Sequence, residues 1–201
     1  MSQPPKPPEF ALPLPEVAVW AGPEGIGDTA FEDVAEAPGV DLPEGLGPDS
    51  RLALRKMLGL FATGVTIVTT RVGEQVHGMT ANAFMSVSLE PPLILVSIDR
   101  RTTMCRLLHE GRRYGVSILH EEQRELSDHF ARRAVDGGPE PRFHLVYETP
   151  VLEGALATFV ARVARSYWGG DHSLFLGQVE CARYRPGAPL LFHGGRYRRL
   201  S

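Results

Sequence analysis

The stretch that decides the fold reads GMTANAFMSVSLEPP and spans residues 78–92. It places small polar residues between two apolar segments whose composition is typical of β-strands. The next residues, 93–99, read LILVSID and predict another strand. Residues 100–103 read RRTT and predict the start of a positively charged helix. Such a helix start can receive a phosphate, because its free N–H groups and its dipole both favour an anion.

Strand-like segments also dominate the chain on both sides of this stretch. Strands are predicted at 65–71, 75–80, 85–89, 93–99, 113–119, 155–168 and 173–184, and a last hairpin turns at Gly194-Gly195 within 190–200. Helices are predicted at 51–61 with Asp49 or Ser50 as the N-cap, at 102–111, and at 121–133. The connections are too short for repeated βαβ units, so a mostly antiparallel barrel is favoured over a doubly wound sheet.

The 201 residues suffice for one domain with a sizeable core and an appendage. Residues 1–48 hold ten of the seventeen prolines and predict an N-terminal extension, which leaves 49–201 as the folded domain. An apolar segment between Phe10 and Trp20 could dock on the body or on a second subunit. Residues 1–50 carry a net charge of −9 and residues 51–201 carry +6. The mildly basic body suits a small anionic ligand, but its charge is too diffuse to predict nucleic-acid binding.

Several classes of protein are disfavoured by what the sequence lacks. No apolar run approaches the roughly 20 residues of a membrane span, and no secretory signal is recognisable at the N-terminus. The only cysteines, Cys105 and Cys181, form no close pair, which fits a reducing cytoplasm and no thiolate metal site. The histidines show no metal-ligand spacing, so no metal is expected. Hydrolase and P-loop motifs are also missing.

Three polar clusters are candidate ligand sites, and each has a purely structural alternative. Thr80, Asn82, Ser86 and Ser88 could bind a flat polar ligand, or they could form the polar face of an ordinary strand. The segment 97–103 could hold a phosphate, or it could be a capped helix with solvated arginines. His172 follows Gly169-Gly170 and could orient an aromatic ring of a ligand, or it could lie exposed in a hairpin turn.

Taken in order, six segments resemble the flavin reductase family, which has an FMN-binding split-barrel fold. These are residues 61–69, 78–84, 86–93, 115–119, 170–179 and 189–197, and the resemblance extends over about residues 54–200. Members of this family are the small reductase partners of two-component flavin monooxygenases. The resemblance implies a mostly β fold, namely an antiparallel six-stranded Greek-key split barrel with a few flanking helices. It also implies a cytoplasmic homodimer with flavin near the subunit interface.

The resemblance further implies an activity and a set of site residues. An NAD(P)H:flavin oxidoreductase would transfer a hydride from NADH or NADPH to FMN or FAD, and would supply reduced flavin to a separate monooxygenase. The flavin-binding residues would be Thr80, Ala81, Asn82, Ala83, Ser86, Val87 and Ser88, with Ser97, Ile98, Asp99, Thr102 and Thr103 on the phosphate side. Phe130, Ala131 and Arg132 would add a helix end, His172 would lie beside the nicotinamide, and Tyr197 would close the pocket.

One departure and two alternatives accompany this interpretation. Ala83 stands where relatives often have serine, which leaves the choice between FMN and FAD open. A non-catalytic flavin-binding protein or a structural partner subunit could share the same barrel. A related oxidase acting on a pyridoxine phosphate is a third candidate, but the basic substrate cluster that it needs is not evident in the sequence. Turnover of NADH with free flavin would separate the reductase from the binding protein.

Overall fold

The computed structural model describes residues 48–110, 113–131 and 138–200. The extension predicted at 1–48 lies outside the described residues except for Pro48, so the division of the chain at that point stays a prediction. The helices of the described residues are α1 (Pro48–Leu58), α2 (Thr103–Glu110) and α3 (Arg124–Phe130). Their strands are β1 (Thr63–Gly64), β2 (Thr66–Val72), β3 (Gln75–Ala81), β4 (Phe84–Leu89), β5 (Pro92–Asp99), β6 (Arg113–Ile118), β7 (Phe143–Val146), β8 (Thr149–Leu152), β9 (Ala157–Gly169), β10 (His172–Tyr184), β11 (Leu191–His193) and β12 (Arg196–Arg198).

Seven strands form one antiparallel sheet in the order β3-β2-β6-β9-β10-β5-β4. The two edge strands, β3 and β4, are joined by only Asn82 and Ala83. The sheet must therefore curl until its edges nearly meet, which gives a barrel that is open along one side. The predicted fold class is confirmed, and the main sheet has seven strands where the resemblance implied six.

Two smaller sheets complete the architecture of the described residues. One has the order β1-β11-β12, and the other is the β7-β8 hairpin. The β7-β8 hairpin was not predicted, because its turn residues Tyr147 and Glu148 adopt positive φ angles of 49° and 61° without a glycine, asparagine or aspartate. Those are the residues that normally mark such a turn in a sequence.

The core lies on both faces of β2, which is why its first five residues, 66–70, are all buried. Val68 belongs to the interior cluster, together with Val96 and Phe175. Ile67 belongs to a second cluster on the outer face, where Phe130 of α3 and Phe192 of β11 pack. A sheet strand that is buried on both faces has no reason to alternate between apolar and polar residues.

The helices begin and end near the predicted residues, with two differences. Helix α1 begins at Pro48, before either predicted cap, and ends at Leu58 instead of residue 61. A proline is favourable in the first helical turn, and Gly59 weakens any continuation of the helix. Helix α3 is shorter at its start than predicted and begins at Arg124. None of the described helices is long and apolar enough to cross a membrane.

Candidate functional site

The link between the two edge strands is the first part of the site. The N–H of Ser97 donates to the carbonyl of Ala83 at 3.0 Å, so this link lies against the end of β5. The side-chain amide of Asn82 donates to Oγ1 of Thr63 at 3.3 Å. The predicted residues 80–83 and 97–103 are thereby placed next to each other, although Thr63 was not predicted to take part.

Helix α2 begins at the same rim, and its first residues have the predicted geometry. Oγ1 of Thr102 accepts a hydrogen bond from the N–H of Cys105 at 3.2 Å, which makes Thr102 the N-cap. The same hydroxyl donates to the carbonyl of Asp99 at 2.7 Å. In a capped helix the N–H groups of the first turn, here those of Thr103 and Met104, have no partner within the helix. They are therefore available to an anion.

Asp99 governs the charge available beside this helix start. Its carboxylate accepts the backbone N–H of Arg101 at 2.8 Å and the guanidinium of Arg101 at 3.1 and 2.7 Å. These hydrogen bonds from Arg101 hold the pKa of Asp99 well below its ordinary value, against a smaller opposing effect of desolvation. Arg101 is therefore neutralised locally, so positive charge for a phosphate must come from other arginines, such as Arg100 and Arg106.

The turn between β9 and β10 brings His172 to the same rim. His172 pairs with Asp99 across the β10-β5 ladder, and Gly170 in the preceding turn has a φ of 76°. The N–H of Arg100 donates to the carbonyl of Asp171 at 3.0 Å. Since Ser97 pairs with Leu174 and is bonded to Ala83, His172 lies two strand spacings across and two residues along from the Asn82-Ala83 link, a distance on the order of 12 Å.

A hydrogen-bond network on α3 involves two further predicted residues, Thr80 and Tyr197. Oγ1 of Thr80 donates to the carbonyl of Ser127 at 2.6 Å. The hydroxyl of Tyr197 lies 2.9 Å from Oγ of Ser127 and donates to Oδ1 of Asp128 at 3.0 Å. Ser127 is fully buried. Ser127 and Asp128 were not predicted, because a polar residue within an amphipathic helix carries no signal of its long-range partners.

The end of α3 lies on β3 through a close contact between Phe130 and Gly78. A Cβ atom at Gly78 would lie 2.4 Å from Cε1 of Phe130, so only glycine permits this approach. The N–H of Ala131 donates to the carbonyl of Ser127 at 3.0 Å and closes the helix. Arg132, the third predicted residue of this helix end, lies outside the described residues.

Burial separates the predicted residues into two groups. Asn82, Ala83, Ser86 and Val87 are exposed, and all lie along the open edge of the sheet. The side chain of Ile98 is completely buried in the interior cluster. Ile98 could therefore meet a ligand only through its backbone, and its place in the flavin site stays a prediction.

Tyr197 also lines an open cleft at the start of α3, and no other predicted site residue lines this cleft. The cleft is bounded by Glu121, Glu122, Arg124, Glu125, Leu190, Tyr197, Arg198 and Arg199. The ring of Tyr197 lies beneath the guanidinium of Arg124, whose Cζ is 5.3 Å from the ring centroid. Tyr197 is therefore linked to the rim through Ser127 and Thr80, but Asn82, Thr102 and His172 do not border this cleft. Among the described residues, no group of three acidic, histidine or cysteine side chains could hold a metal ion.

The fold and the rim define a flavin reductase-like protein, and sequence comparison shows it directly. Residues 58–201 match the model of the flavin reductase like domain, so the chain belongs to this family. The chain is 49% identical over 153 residues to an NADH-dependent flavin reductase of a Rhodococcus species, which covers 75% of this chain and 86% of that protein. It is 40% identical over 149 residues to the reductase component of 4-hydroxyphenylacetate 3-monooxygenase of Thermus thermophilus, which covers 74% of this chain and 95% of that protein.

Solved structures agree with this assignment. The flavin reductase PheA2 superimposes with a TM-score of 0.73 and 42% identity, over 76% of this chain and 99% of that chain. The NADH:FAD oxidoreductase SgcE6 of Streptomyces globisporus, solved with NAD and FAD fragments, has a TM-score of 0.71 and 40% identity over 77% of this chain and 95% of that chain. The predicted family is confirmed.

Proposed function

We propose that this chain is an NADH-dependent flavin reductase that supplies reduced flavin to a separate monooxygenase. The observation that carries the proposal is the convergence of the Asn82-Ala83 link, the start of α2 and His172 on one rim. Relatives named for NADH-dependent reduction of flavin, and for the reductase components of monooxygenases, support the same conclusion. These relatives also favour NADH over NADPH as the hydride donor.

The residues at the rim fit a flavin nucleotide. Asn82 and the hydroxyls of Ser86 and Ser88 can donate and accept hydrogen bonds, as the edge of a flavin ring requires. The start of α2, with Thr102, Thr103 and the nearby arginines, supplies N–H groups and positive charge for a phosphate.

The capacity to accept a hydride from reduced nicotinamide would come from bound flavin. The protein contributes the binding and orientation of the two molecules. His172 is the first residue of β10 and one of its ring nitrogens is held by Asp171, so its other ring nitrogen can contact the nicotinamide. The backbone around Ala83 and Ser97 holds the flavin site against this histidine. Holding two rings at about 3–3.5 Å is itself a large catalytic contribution, so few catalytic side chains are needed.

A homodimer is part of the proposal, and the open edge of the sheet supports it. Strand β4 is an edge strand, and Met85, Val87 and Leu89 on it are exposed, Leu89 to 92%. Exposed apolar side chains on an unpaired edge are normally covered. A second copy seated there would enclose Asn82 and Ser86, which are open in one chain. Light scattering coupled to size exclusion tests this, and a strictly monomeric protein would contradict it.

The proposed reaction is placed in the cytoplasm, where reduced nicotinamide is supplied. Cys105 and Cys181 are both buried and unbonded to each other, which suits a reducing compartment. The partner oxygenase is a separate protein, and no residue of this chain is assigned to its reaction.

The decisive experiment mixes the purified protein with NADH and free FMN or FAD and follows the nicotinamide absorbance. Catalytic turnover, together with transfer of reduced flavin to an added flavin-dependent monooxygenase, supports the proposal. Tight flavin binding without turnover would instead favour the non-catalytic binding protein. Repeating the assay with NADPH at equal concentration measures the preference for NADH.

A further inference from the structure

Helix α1 is not packed against the body of the protein. Every residue from Leu52 to Leu58 is exposed, on all sides of the helix. The described contact at its end is between backbones, where the N–H of Gly194 donates to the carbonyl of Gly59 at 2.7 Å. An isolated helix of eleven residues is marginal in water, because most helices gain their stability from packing an apolar face. A partner surface is therefore needed to stabilise α1.

The uncovered residues of α1 form an apolar stripe. Leu54, Met57 and Leu58 recur at helical spacing on one face, and Phe61 follows in the turn after the helix. Their exposed fractions run from 44% for Leu54 to 78% for Phe61. The basic residues Arg55 and Lys56 flank the stripe in the last turn, and within the described part of the chain neither forms an ion pair. The stripe therefore suits an apolar segment that carries negative charge.

We propose that residues 10–20 of the same chain bind this stripe. They read FALPLPEVAVW and contain two large aromatic residues, Phe10 and Trp20, together with the acidic Glu16. Residues 1–47 carry nine acidic residues and one basic residue, so the wider segment is attracted to a basic helix. The two prolines of this segment, Pro13 and Pro15, do not prevent this binding, because an extended segment can lie along a helix without forming one.

The covalent connection favours this occupant over a separate molecule. Residues 21–47 separate Trp20 from α1 and can span up to about 90 Å when extended. Helix α1 itself is about 16 Å long, so the segment reaches every point of the stripe. Tethering raises the effective concentration of the segment to the millimolar range, which a second copy at micromolar concentration does not match. The exposed edge at β4 remains for the second subunit.

Hydrogen exchange of the full-length protein, read by mass spectrometry, tests the proposal. Amides in residues 10–20 are expected to exchange at least about tenfold more slowly than in an unfolded chain of the same sequence. Met57→Glu should remove this protection and loosen α1, because it places a charge in the stripe. Leu145→Ser, an exposed apolar position on β7, is the matched control and should change neither. Protection of α1 without protection of residues 10–20 would overturn the proposal, as would protection that survives Met57→Glu.

A crosslink distinguishes the same chain from a second copy. The double variant Leu14→Cys with Met57→Cys can form a disulfide between segment and stripe, while the natural cysteines are buried. Oxidation should give a disulfide within one chain. The protein should then run as a monomer on a non-reducing gel, and mass spectrometry should detect the two peptides linked to each other. The yield should not fall on dilution. A disulfide-linked dimer would show that a second copy covers α1, and absence of any link in the folded protein would refute docking.

Discussion

Nδ1 of His172 lies 2.7 Å from Oδ1 of Asp171. Asp171 ends the turn between β9 and β10, and His172 begins β10 at the rim where α2 begins. A carboxylate bound at Nδ1 fixes the ring and, in the neutral imidazole, places the proton on Nδ1. Nε2 of His172 is then the nitrogen that can face a nicotinamide.

Asp171→Asn is expected to raise the KM for NADH about 3- to 10-fold, the range of one net hydrogen bond. Flavin affinity should stay unchanged, because the flavin contacts proposed here come from other elements. His172→Ala should weaken NADH use more strongly than flavin binding. Steady-state kinetics and flavin titration measure the two effects.

The matched control is Glu148→Gln, which removes an equally exposed carboxylate from the distant β7-β8 turn. Glu148→Gln should alter neither the KM for NADH nor the affinity for flavin. Equal loss of flavin and nicotinamide binding in His172→Ala would contradict the role proposed for this residue. In the His172→Ala background, Asp171→Asn should have no further effect, since it acts through the imidazole.

Asp99→Asn is expected to lower the thermal stability at neutral pH. The hydrogen bonds from Arg101 hold the pKa of Asp99 below its ordinary value, so the ionised carboxylate stabilises the folded state. That contribution is present above the unfolded pKa of about 3.9 and is lost as the pH falls through the lower folded value. The effect should be small, because Arg101 is solvent-exposed.

Thermal unfolding of the natural protein and of Asp99→Asn, between neutral and acidic pH, measures the contribution of the Asp99 carboxylate to stability. The difference in Tm should be largest near neutrality and shrink below about pH 4. A difference that grows in acid would mean that the carboxylate destabilises the folded protein. Asp171→Asn is a useful comparison at the same rim, because the carboxylate of Asp171 makes no described hydrogen bond to Arg101.

Gly78→Ala is expected to destabilise the protein by about 1–3 kcal/mol. The added methyl group would overlap the ring of Phe130, so α3 must move away from β3. Flavin affinity should fall with it if the end of α3 contacts flavin. Gly64→Ala is the control, because a Cβ there meets no atom within 4 Å and the backbone is not in the left-handed region. Equal Tm values for the two variants would show that the Phe130 ring can move aside at little cost in stability.

Tyr114→Phe is expected to leave the protein as stable or make it more stable by about 1 kcal/mol. The residue is completely buried, and its hydroxyl has no hydrogen-bond partner among the described residues. Burial also raises the pKa of the Tyr114 hydroxyl. Denaturant unfolding measures the change in stability. A loss of more than about 1 kcal/mol would indicate that the hydroxyl is hydrogen-bonded, for example to an internal water.

Local patterns in the sequence were sufficient to predict much of the fold and part of the site. The strand around Ile67 and the helix start at Thr102 each depend on neighbouring residues, and both were predicted. Contacts between distant segments were not predicted, because nothing near Thr80 reveals that its hydroxyl binds the carbonyl of Ser127. Ile98 shows the same limit, since alternation in a strand does not say which face the barrel encloses.

Tyr197→Phe tests whether the hydroxyl on β12 holds α3 in place. Removing the hydroxyl breaks its contacts with Ser127 and Asp128, and the expected destabilisation is about 1–2 kcal/mol. The carbonyl of Ser127 also accepts a hydrogen bond from the hydroxyl of Thr80, so α3 should shift relative to the Asn82-Ala83 link. We therefore expect weaker flavin binding with an unchanged KM for NADH, measured by titration and kinetics.

Tyr147→Phe is the control for this substitution, since it removes a hydroxyl from an exposed tyrosine whose ring still faces Arg113. It should leave stability and both affinities unchanged. If Tyr197→Phe raised the KM for NADH and spared flavin binding, Tyr197 would belong with His172 on the nicotinamide side. If Tyr197→Phe reduced stability alone, the hydrogen-bond network on α3 would have only a structural role. The flavin site would then depend on the Asn82-Ala83 link and on α2, and not on that network.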